Sequence, residues 1–155
     1  MTSVETDNTP KPTIAKLPLA AAIVSLVGLT DAIYLTIHHY TAEDVPCGVG
    51  FDCGAVLGSS YAEIFGLPLA AYGAAAYFVA FSLALLTAFG SRRLWPLFGL
   101  QVTLMACFSS YLIYVQYAII LAWCQYCLVS AATCFTLFVL FLISLFVPSR
   151  TSKSL

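Results

Sequence analysis

The sequence predicts an all-α membrane protein, a bundle of four transmembrane helices with a cysteine-bearing outer loop between the first and second helices. The 155 residues are 61% hydrophobic and only 8% charged, whereas a soluble domain carries about a quarter charged residues. The apolar residues also gather into four stretches, each long enough to cross the hydrocarbon core of a bilayer. Membrane lipid is therefore the expected surroundings. The 6 Lys and Arg residues form no basic patch for a nucleic acid, so none is expected as a partner.

The four apolar stretches are predicted to be helices. They run from Leu17 to Tyr40, from Leu67 to Phe89, from Leu94 to Leu121 and from Cys127 to Val147. Only helices and closed barrels satisfy the backbone inside lipid, and these stretches lack the two-residue alternation of barrel strands. Pro68 is tolerated in the first turn of the second helix, where its missing N–H has no partner. We expect a transmembrane domain over residues 17–147, with polar tails at residues 1–16 and 148–155.

The basic residues predict the orientation of the helices. They precede the first helix, separate the second from the third, and follow the fourth: Lys11, Lys16, Arg92, Arg93, Arg150 and Lys153. These three places share one side of a four-span protein, and the positive-inside rule makes that side cytoplasmic. The first stretch is too long for a signal-peptide core and is interpreted as an uncleaved helix. We expect a multi-pass protein of a prokaryotic inner membrane with both termini in the cytoplasm.

The six cysteines divide into two outer pairs and two single residues at membrane depth. The pairs are Cys47 with Cys53 in the loop of residues 41–66 and Cys124 with Cys127 before the fourth helix, and the single residues are Cys107 and Cys134. The outer side of a bacterial or archaeal membrane, or the lumen of the endoplasmic reticulum, is the oxidising side, where disulfides persist. The two single cysteines are interpreted as packing residues, because free cysteine behaves as a small buried hydrophobe. The pairs therefore predict thiol–disulfide chemistry on the outer side.

The motif "WCQYC" places the pair Cys124 and Cys127 at the start of a membrane helix. The helix dipole and the free backbone N–H groups at such a position stabilise a thiolate, which makes a better leaving group in disulfide exchange. The residues one turn further along are apolar, so a thiolate here can reach a carrier dissolved in the bilayer. Quinones are the expected class of carrier.

Other residues near this motif are candidates for binding such a ring. Aromatic side chains flank it, namely Trp123, Tyr126, Tyr114 and Tyr117, although aromatic residues at a membrane interface commonly act as anchors. Asp31 is an acid inside the first helix, and an intramembrane acid is a functional hypothesis by default. It is expected either to relay protons or hydrogen-bond a quinone, or to support packing through Ser or Tyr partners.

The loop pair, Cys47 and Cys53, encloses the pliable segment "GVGFD". Exchange requires a sulfur that can approach its target in line, and two glycines provide the necessary mobility. A static staple and a Cys₄ zinc site are the alternatives. Structural zinc favours pairs with two to four intervening residues, so the five-residue gap counts against zinc, and no metal is expected.

Four features occur together in a fixed order along the chain. A cysteine pair in the first outer loop is followed by a serine six residues after the second cysteine, here Ser59. A G-x-P-x-x-x-x-G motif from Gly66 to Gly73 then opens the second helix, and a C-x-x-C motif opens the fourth. In this combination, and in the first-helix segment "GLTDAIYLTIHHY", the chain resembles the vitamin K epoxide reductase family, in particular its prokaryotic members. The resemblance covers residues 17–147.

The resemblance implies a four-helix bundle around a quinone, either ubiquinone or menaquinone, and an electron route that begins at a thioredoxin-like partner. Cys47 would accept attack by a thiol of the partner, and the released Cys53 would attack Cys124. Cys127, released in turn, would face the quinone, with Ser59, Asp31 and Tyr126 as candidate quinone contacts. Many prokaryotic relatives carry a fused thioredoxin-like domain. The chain here ends at Leu155, so a separate DsbA-like protein on the outer side is the expected partner.

Two departures from the vertebrate enzymes favour quinone reduction over epoxide reduction. The tyrosine that follows their C-x-x-C motif by four residues is Ala131 here, and their quinone-binding asparagine has no counterpart in "LPLAAYGAAAY". Two alternatives remain from other groups of proteins. A DsbB-type oxidase has the two cysteine pairs in the reverse order along the chain. A small transporter subunit or membrane scaffold with structural disulfides would need polar residues that line a pathway at the middle of the membrane, and only Asp31 and Gln101 are evident.

Overall fold

The structure is a computed structural model that describes residues 16–146. The predicted polar tails, with Lys11, Arg150 and Lys153, lie outside the described residues, except that Lys16 begins the first helix. The described helices are α1 (Lys16–Thr41), α2 (Cys53–Leu57), α3 (Leu69–Ala88), α4 (Trp95–Val115) and α5 (Gln125–Phe146). Two short strands, β1 (Glu63–Ile64) and β2 (Leu67–Pro68), form an antiparallel hairpin.

Four of these helices confirm the predicted fold class. In the described part of the chain, α1, α3, α4 with its continuation and α5 are each long and apolar enough to cross a membrane. Their ends lie within two residues of the predicted ends, once the π-helical turn Gln116–Ile120 is counted as the continuation of α4. The agreement follows from the fixed thickness of the bilayer, which sets the length of an apolar helix.

The four long helices form a closed bundle, in which α1 contacts α3 and α5, and α4 contacts α5 and α3. Small side chains line the contacts, as in membrane helices that approach closely. Gly28 of α1 is one of them, because a Cβ atom there would overlap the buried ring of Tyr77 from α3. The largest fully buried side chains of the bundle core are Tyr77, Phe98, Leu137 and Val102.

The segment between α1 and α3 lies at the end of the bundle opposite the turn between α3 and α4, which is the end predicted to be outer, and it contains more regular structure than the sequence indicates. Helix α2 begins at Cys53, and the side chain of Asp52 accepts a hydrogen bond from Ala55 N at 2.9 Å as its N-cap. The hairpin turns through Phe65 and Gly66, both with positive φ, which is the backbone that two-residue hairpin turns require. Pairing of β1 with β2 delays the start of α3 to Leu69.

Candidate active site

The loop cysteines Cys47 and Cys53 form a disulfide. Their Cα atoms are 6.1 Å apart, within the usual range for this bond. The two sulfurs are unequal in surroundings, because Cys53 is only 1% exposed whereas Cys47 is partly exposed.

The C-x-x-C cysteines lie where the chain turns from α4 into α5. The π-helical turn ends at Leu121, which adopts a left-handed backbone with φ of 57° and turns the chain toward α5. Cys124 is the N-cap of α5, since its carbonyl accepts from Leu128 N at 3.1 Å and its sulfur accepts from Cys127 N at 3.5 Å. A sulfur at this position receives both a backbone hydrogen bond and the positive end of the helix dipole.

This environment acidifies the Cys124 thiol. A hydrogen bond from the Cys127 side chain lowers the pKa of Cys124 to about 7 from its ordinary value of 9.0, and backbone N–H groups of Cys127 and Tyr126 act in the same direction. Burial of Cys124 raises the pKa but is outweighed. Cys124 is therefore the better thiolate leaving group in an exchange reaction near neutral pH.

The two cysteine pairs meet in one apolar cluster at the outer end of the bundle. Cys53 and Cys124, both buried, form its centre together with Val56. Cys47 and Cys127 pack around that centre. A backbone hydrogen bond holds the two cysteine regions together, because Asp52 N donates to Trp123 O at 2.9 Å. Asp52 directly precedes Cys53, and Trp123 directly precedes Cys124. The four predicted cysteines are thus brought together in one cluster, with Cys53 and Cys124 both at its buried centre.

A cavity of about 610 Å³ lies between the four long helices and the outer segment. Ligand sites in proteins have about 300–1,000 Å³ and are mostly apolar with a few polar groups. Cys127 lines this cavity and Cys124 does not. The C-x-x-C pair therefore has one sulfur toward the loop disulfide and the other toward the cavity.

Several polar side chains line the same cavity. One carboxylate oxygen of Asp31, Oδ2, is buried and has no hydrogen-bond partner among the described residues. Ser59 is half-buried and donates to Val56 O at 2.7 Å. Gln116 is 3% exposed and accepts from Cys124 N at 3.0 Å, so it connects the cavity wall to the C-x-x-C turn. Buried polar atoms are normally hydrogen-bonded, which makes Asp31 Oδ2 an unused acceptor or proton site.

The aromatic residues near the C-x-x-C motif do not line this cavity. Tyr126 does not line the cavity but lies beside Asp31 in an adjoining groove, and its hydroxyl donates to Pro46 O at 2.9 Å. Tyr114 and Tyr117 are 60% and 67% exposed and lie outside the cavity lining, as does Trp123. These three residues have the positions of interfacial anchors.

The two single cysteines also differ from each other. Cys134 is buried, lines the cavity and lies 3.0 Å from the Tyr77 hydroxyl. The prediction that both are packing residues is not met by Cys107, which is exposed on the surface of α4. An apolar thiol can face lipid at little cost, because lipid chains are themselves apolar.

Sequence reasoning missed three residues of this region. Gln116 carried a usable signal, because a polar amide inside an apolar stretch is expected to have a partner. Tyr77 lines the cavity and donates to Ser130 O at 2.7 Å, yet it resembles any aromatic residue of a membrane helix. Gln125 accepts from Gly48 N at 3.0 Å, a contact across 77 residues that no local pattern indicates.

The chain matches known proteins over most of its length. Residues 19–142 match the vitamin K epoxide reductase family. The thiol-disulfide oxidoreductase LTO1 of Arabidopsis thaliana is 37% identical over 122 residues, which are 72% of this chain and 32% of that protein. The chain thus spans about a third of the length of this relative. With the cysteine order and the four-helix bundle described above, these matches show that the chain belongs to the vitamin K epoxide reductase family.

Proposed function

We propose that the protein is a membrane thiol–disulfide oxidoreductase that passes electrons from a thioredoxin-like partner to a quinone and so supports disulfide formation. The observation that carries the proposal is that the four cysteines have different surroundings. Cys53 and Cys124 are buried in one cluster, Cys47 is partly exposed, and Cys127 lines the cavity. The relative from Arabidopsis thaliana is itself named as a thiol-disulfide oxidoreductase.

The first step of the proposed reaction takes place at the loop. A thiolate of the partner attacks Cys47, forming a mixed disulfide and releasing Cys53 as a thiolate. A second thiol of the partner then displaces Cys47, which leaves the partner oxidised and the loop pair reduced by two electrons. Cys47 is suited to this attack because it is the more exposed sulfur of the disulfide.

The second step transfers the electron pair between the two cysteine pairs. Cys53 attacks Cys124 of an oxidised Cys124–Cys127 pair, so that a Cys53–Cys124 bond forms and Cys127 leaves as a thiolate. Cys47 then attacks Cys53, which restores the loop disulfide and releases Cys124. The low pKa of Cys124 favours this release. The Cys47–Cys53 disulfide and the free thiols of Cys124 and Cys127 are the arrangement that the proposal expects after this step.

The cavity fits a quinone ring by its volume and by its lining. Asp31 and Ser59 are the proposed polar contacts, and the Tyr126 ring beside Asp31 is the proposed outer wall of the site. A bound quinone would supply the terminal acceptor for two electrons and two protons, with reformation of the Cys124–Cys127 disulfide. Ubiquinone and menaquinone are the proposed species.

Asp31 is proposed to transfer a proton during this last step. Oxidation of the Cys124 and Cys127 thiols releases their protons beside a largely apolar cavity. A titratable group without another hydrogen-bond partner is needed there to accept and pass on a proton. The Asp31 Oδ2 atom is buried, has no partner among the described residues and belongs to the same cavity wall as Cys127. An acid inside a membrane helix commonly serves this purpose.

The proposed location is a prokaryotic inner membrane, with the cysteines outside and both termini in the cytoplasm. Arg92 and Arg93 support this orientation, because they lie in the turn between α3 and α4, at the bundle end opposite the cysteine cluster. A cytoplasmic position for these two basic residues agrees with the positive-inside rule.

Purified protein in detergent provides the test. Reduced thioredoxin-like protein should drive reduction of ubiquinone or menaquinone, and replacement of Cys53, Cys124 or Cys127 by Ala should abolish turnover. The matched control is Cys107→Ala, because this thiol is exposed and lies outside the cavity lining. Absence of cysteine-dependent turnover with either quinone would refute the proposal and favour a scaffold whose disulfide is structural.

A further inference from the structure

The two residues between the cysteines of the C-x-x-C motif both reach the loop that carries Cys47. The Tyr126 hydroxyl donates to Pro46 O at 2.9 Å, and the Gln125 side-chain oxygen accepts from Gly48 N at 3.0 Å. These contacts fall on the peptide groups immediately before and after Cys47. Neither contact involves a sulfur, so both leave the disulfide chemically free.

The contact between Gly48 and the Gln125 side chain leaves no room for a larger residue at position 48. A Cβ atom on Gly48 would lie 2.9 Å from the Gln125 side-chain oxygen. A side chain at position 48 would therefore push the Gln125 amide away from the loop. Tyr126 also packs against α1, since its ring lies 5.4 Å from the ring of Tyr34.

The two cysteine regions are also joined by the apolar packing around Cys53 and Cys124 and by the backbone hydrogen bond from Asp52 N to Trp123 O. That bond uses main-chain atoms, so any residue except proline at position 52 can make it. The hydrogen bonds of Gln125 and Tyr126 are the polar side-chain contacts between the two regions, and they depend on residue identity. Tyr126 does not line the main cavity, and its hydroxyl donates to the loop at Pro46 O.

We propose that Gln125 and Tyr126 are positioning residues that hold the Cys47 segment so that Cys53 stays beside Cys124. The inference rests on the proposed relay and deepens it by assigning a role to the two residues inside the motif. Their hydrogen bonds raise the effective concentration of Cys53 at Cys124, which governs an intramolecular exchange. The loop then needs no large movement to pass its electrons inward.

The test measures this effective concentration directly, without quinone or partner protein. A Cys47→Ser/Cys127→Ser protein in detergent retains Cys53 and Cys124 as its outer cysteines, and glutathione buffers set the fraction that forms the Cys53–Cys124 bond. Peptide mapping under non-reducing conditions gives that fraction. Adding Tyr126→Phe or Gln125→Ala should lower the effective concentration by about two- to tenfold each, the usual net effect of one hydrogen bond.

Two further variants separate positioning from a general loss of structure. Gln125→Glu retains an oxygen that accepts from Gly48 N, so it should restore most of the effective concentration lost in Gln125→Ala. Tyr117→Phe is the matched control. This substitution removes the hydroxyl of an exposed tyrosine that makes no contact with the Cys47 segment among those described, so the Cys53–Cys124 fraction should not change.

The outcomes distinguish this inference from the proposed function. An unchanged fraction in both Tyr126→Phe and Gln125→Ala, or equal losses in Gln125→Glu and Gln125→Ala, overturns the positioning role. Absence of the Cys53–Cys124 bond at every glutathione ratio in the reference protein also overturns it. Failure of the wild-type protein to reduce quinone, by contrast, refutes the proposed acceptor and leaves this equilibrium intact.

Discussion

Replacement of Cys127 should change the acidity of Cys124 in a way that depends on the new side chain. The principal cause of the low pKa of Cys124 is the hydrogen bond from the Cys127 thiol. Cys127→Ala removes this donor, whereas Cys127→Ser keeps a hydroxyl that can donate to the Cys124 thiolate. We expect the pKa of Cys124 to rise well above 7 in Cys127→Ala and to stay low in Cys127→Ser.

The size of the effect follows from the two pKa values. A thiol with a pKa of about 7 is roughly half ionised at pH 7, whereas one at the ordinary value of 9.0 is about 1% ionised. Loss of the hydrogen bond should therefore reduce the thiolate population at neutral pH by up to about fiftyfold. Because the Cys124 pKa is lowered, thiolate is present above pH 7 and is lost as the pH falls through about 7. The release of Cys124 from the Cys53–Cys124 bond should slow over the same range.

Ultraviolet absorbance of the thiolate during a pH titration measures this population. The Cys124→Ser protein supplies the background from the other thiols and the tyrosines, and the loop disulfide remains oxidised throughout. A transition near pH 7 in wild type and in Cys127→Ser, but not in Cys127→Ala, is the expected pattern. A wild-type midpoint near 9, or the same midpoint in all three proteins, would refute the assigned cause.

Three other substitutions test separate parts of the site. Asp31→Asn should lower quinone-linked turnover by about 100-fold, the usual effect of losing a proton-transfer group, while leaving the glutathione equilibrium of Cys53 with Cys124 unchanged. Equal turnover in Asp31→Asn and wild type would remove Asp31 from the proton path. Gln116→Leu leaves the buried Cys124 N–H without its acceptor, so chemical denaturation in detergent should show a loss of about 1–3 kcal/mol in the free energy of unfolding, and an unchanged value would contradict the role of this amide. Cys47→Ala should abolish oxidation of the protein partner but retain turnover with dithiothreitol, which is small enough to reach Cys124–Cys127 directly. Parallel loss with both reductants would show that Cys47 is not the entry point.

The sequence predicted the helices well because lipid imposes a strong and simple constraint. An apolar helix must match the bilayer thickness, so the bounds of α1 and α5 followed from composition alone. The positions of Cys124 and Cys127 at the start of a helix followed for the same reason. The burial of Cys53 and Cys124 in one cluster depends on how the loop folds back over the bundle, and no periodic pattern in the sequence indicates it.

The less predictable features come from short irregular segments. Gln116 reaches Cys124 N because α4 ends in a π-helical turn, and such turns frequently mark functional sites but have no sequence signature. Tyr126 was expected at the quinone because it is aromatic and near the membrane. Its hydroxyl also has a backbone partner in the loop, Pro46 O, which no sequence pattern indicates.

One variant isolates the proposed transfer of electrons from Cys53 to Cys124. In a Cys47→Ser protein with an oxidised C-x-x-C pair, Cys53 has no loop partner and should attack the neighbouring sulfur. Acid quenching and non-reducing peptide mapping should identify a Cys53–Cys124 bond with Cys127 as a free thiol, because Cys53 and Cys124 are the two buried at the centre of the cluster. A bond from Cys53 to Cys127, or no bond between the loop and the motif, would contradict the relay.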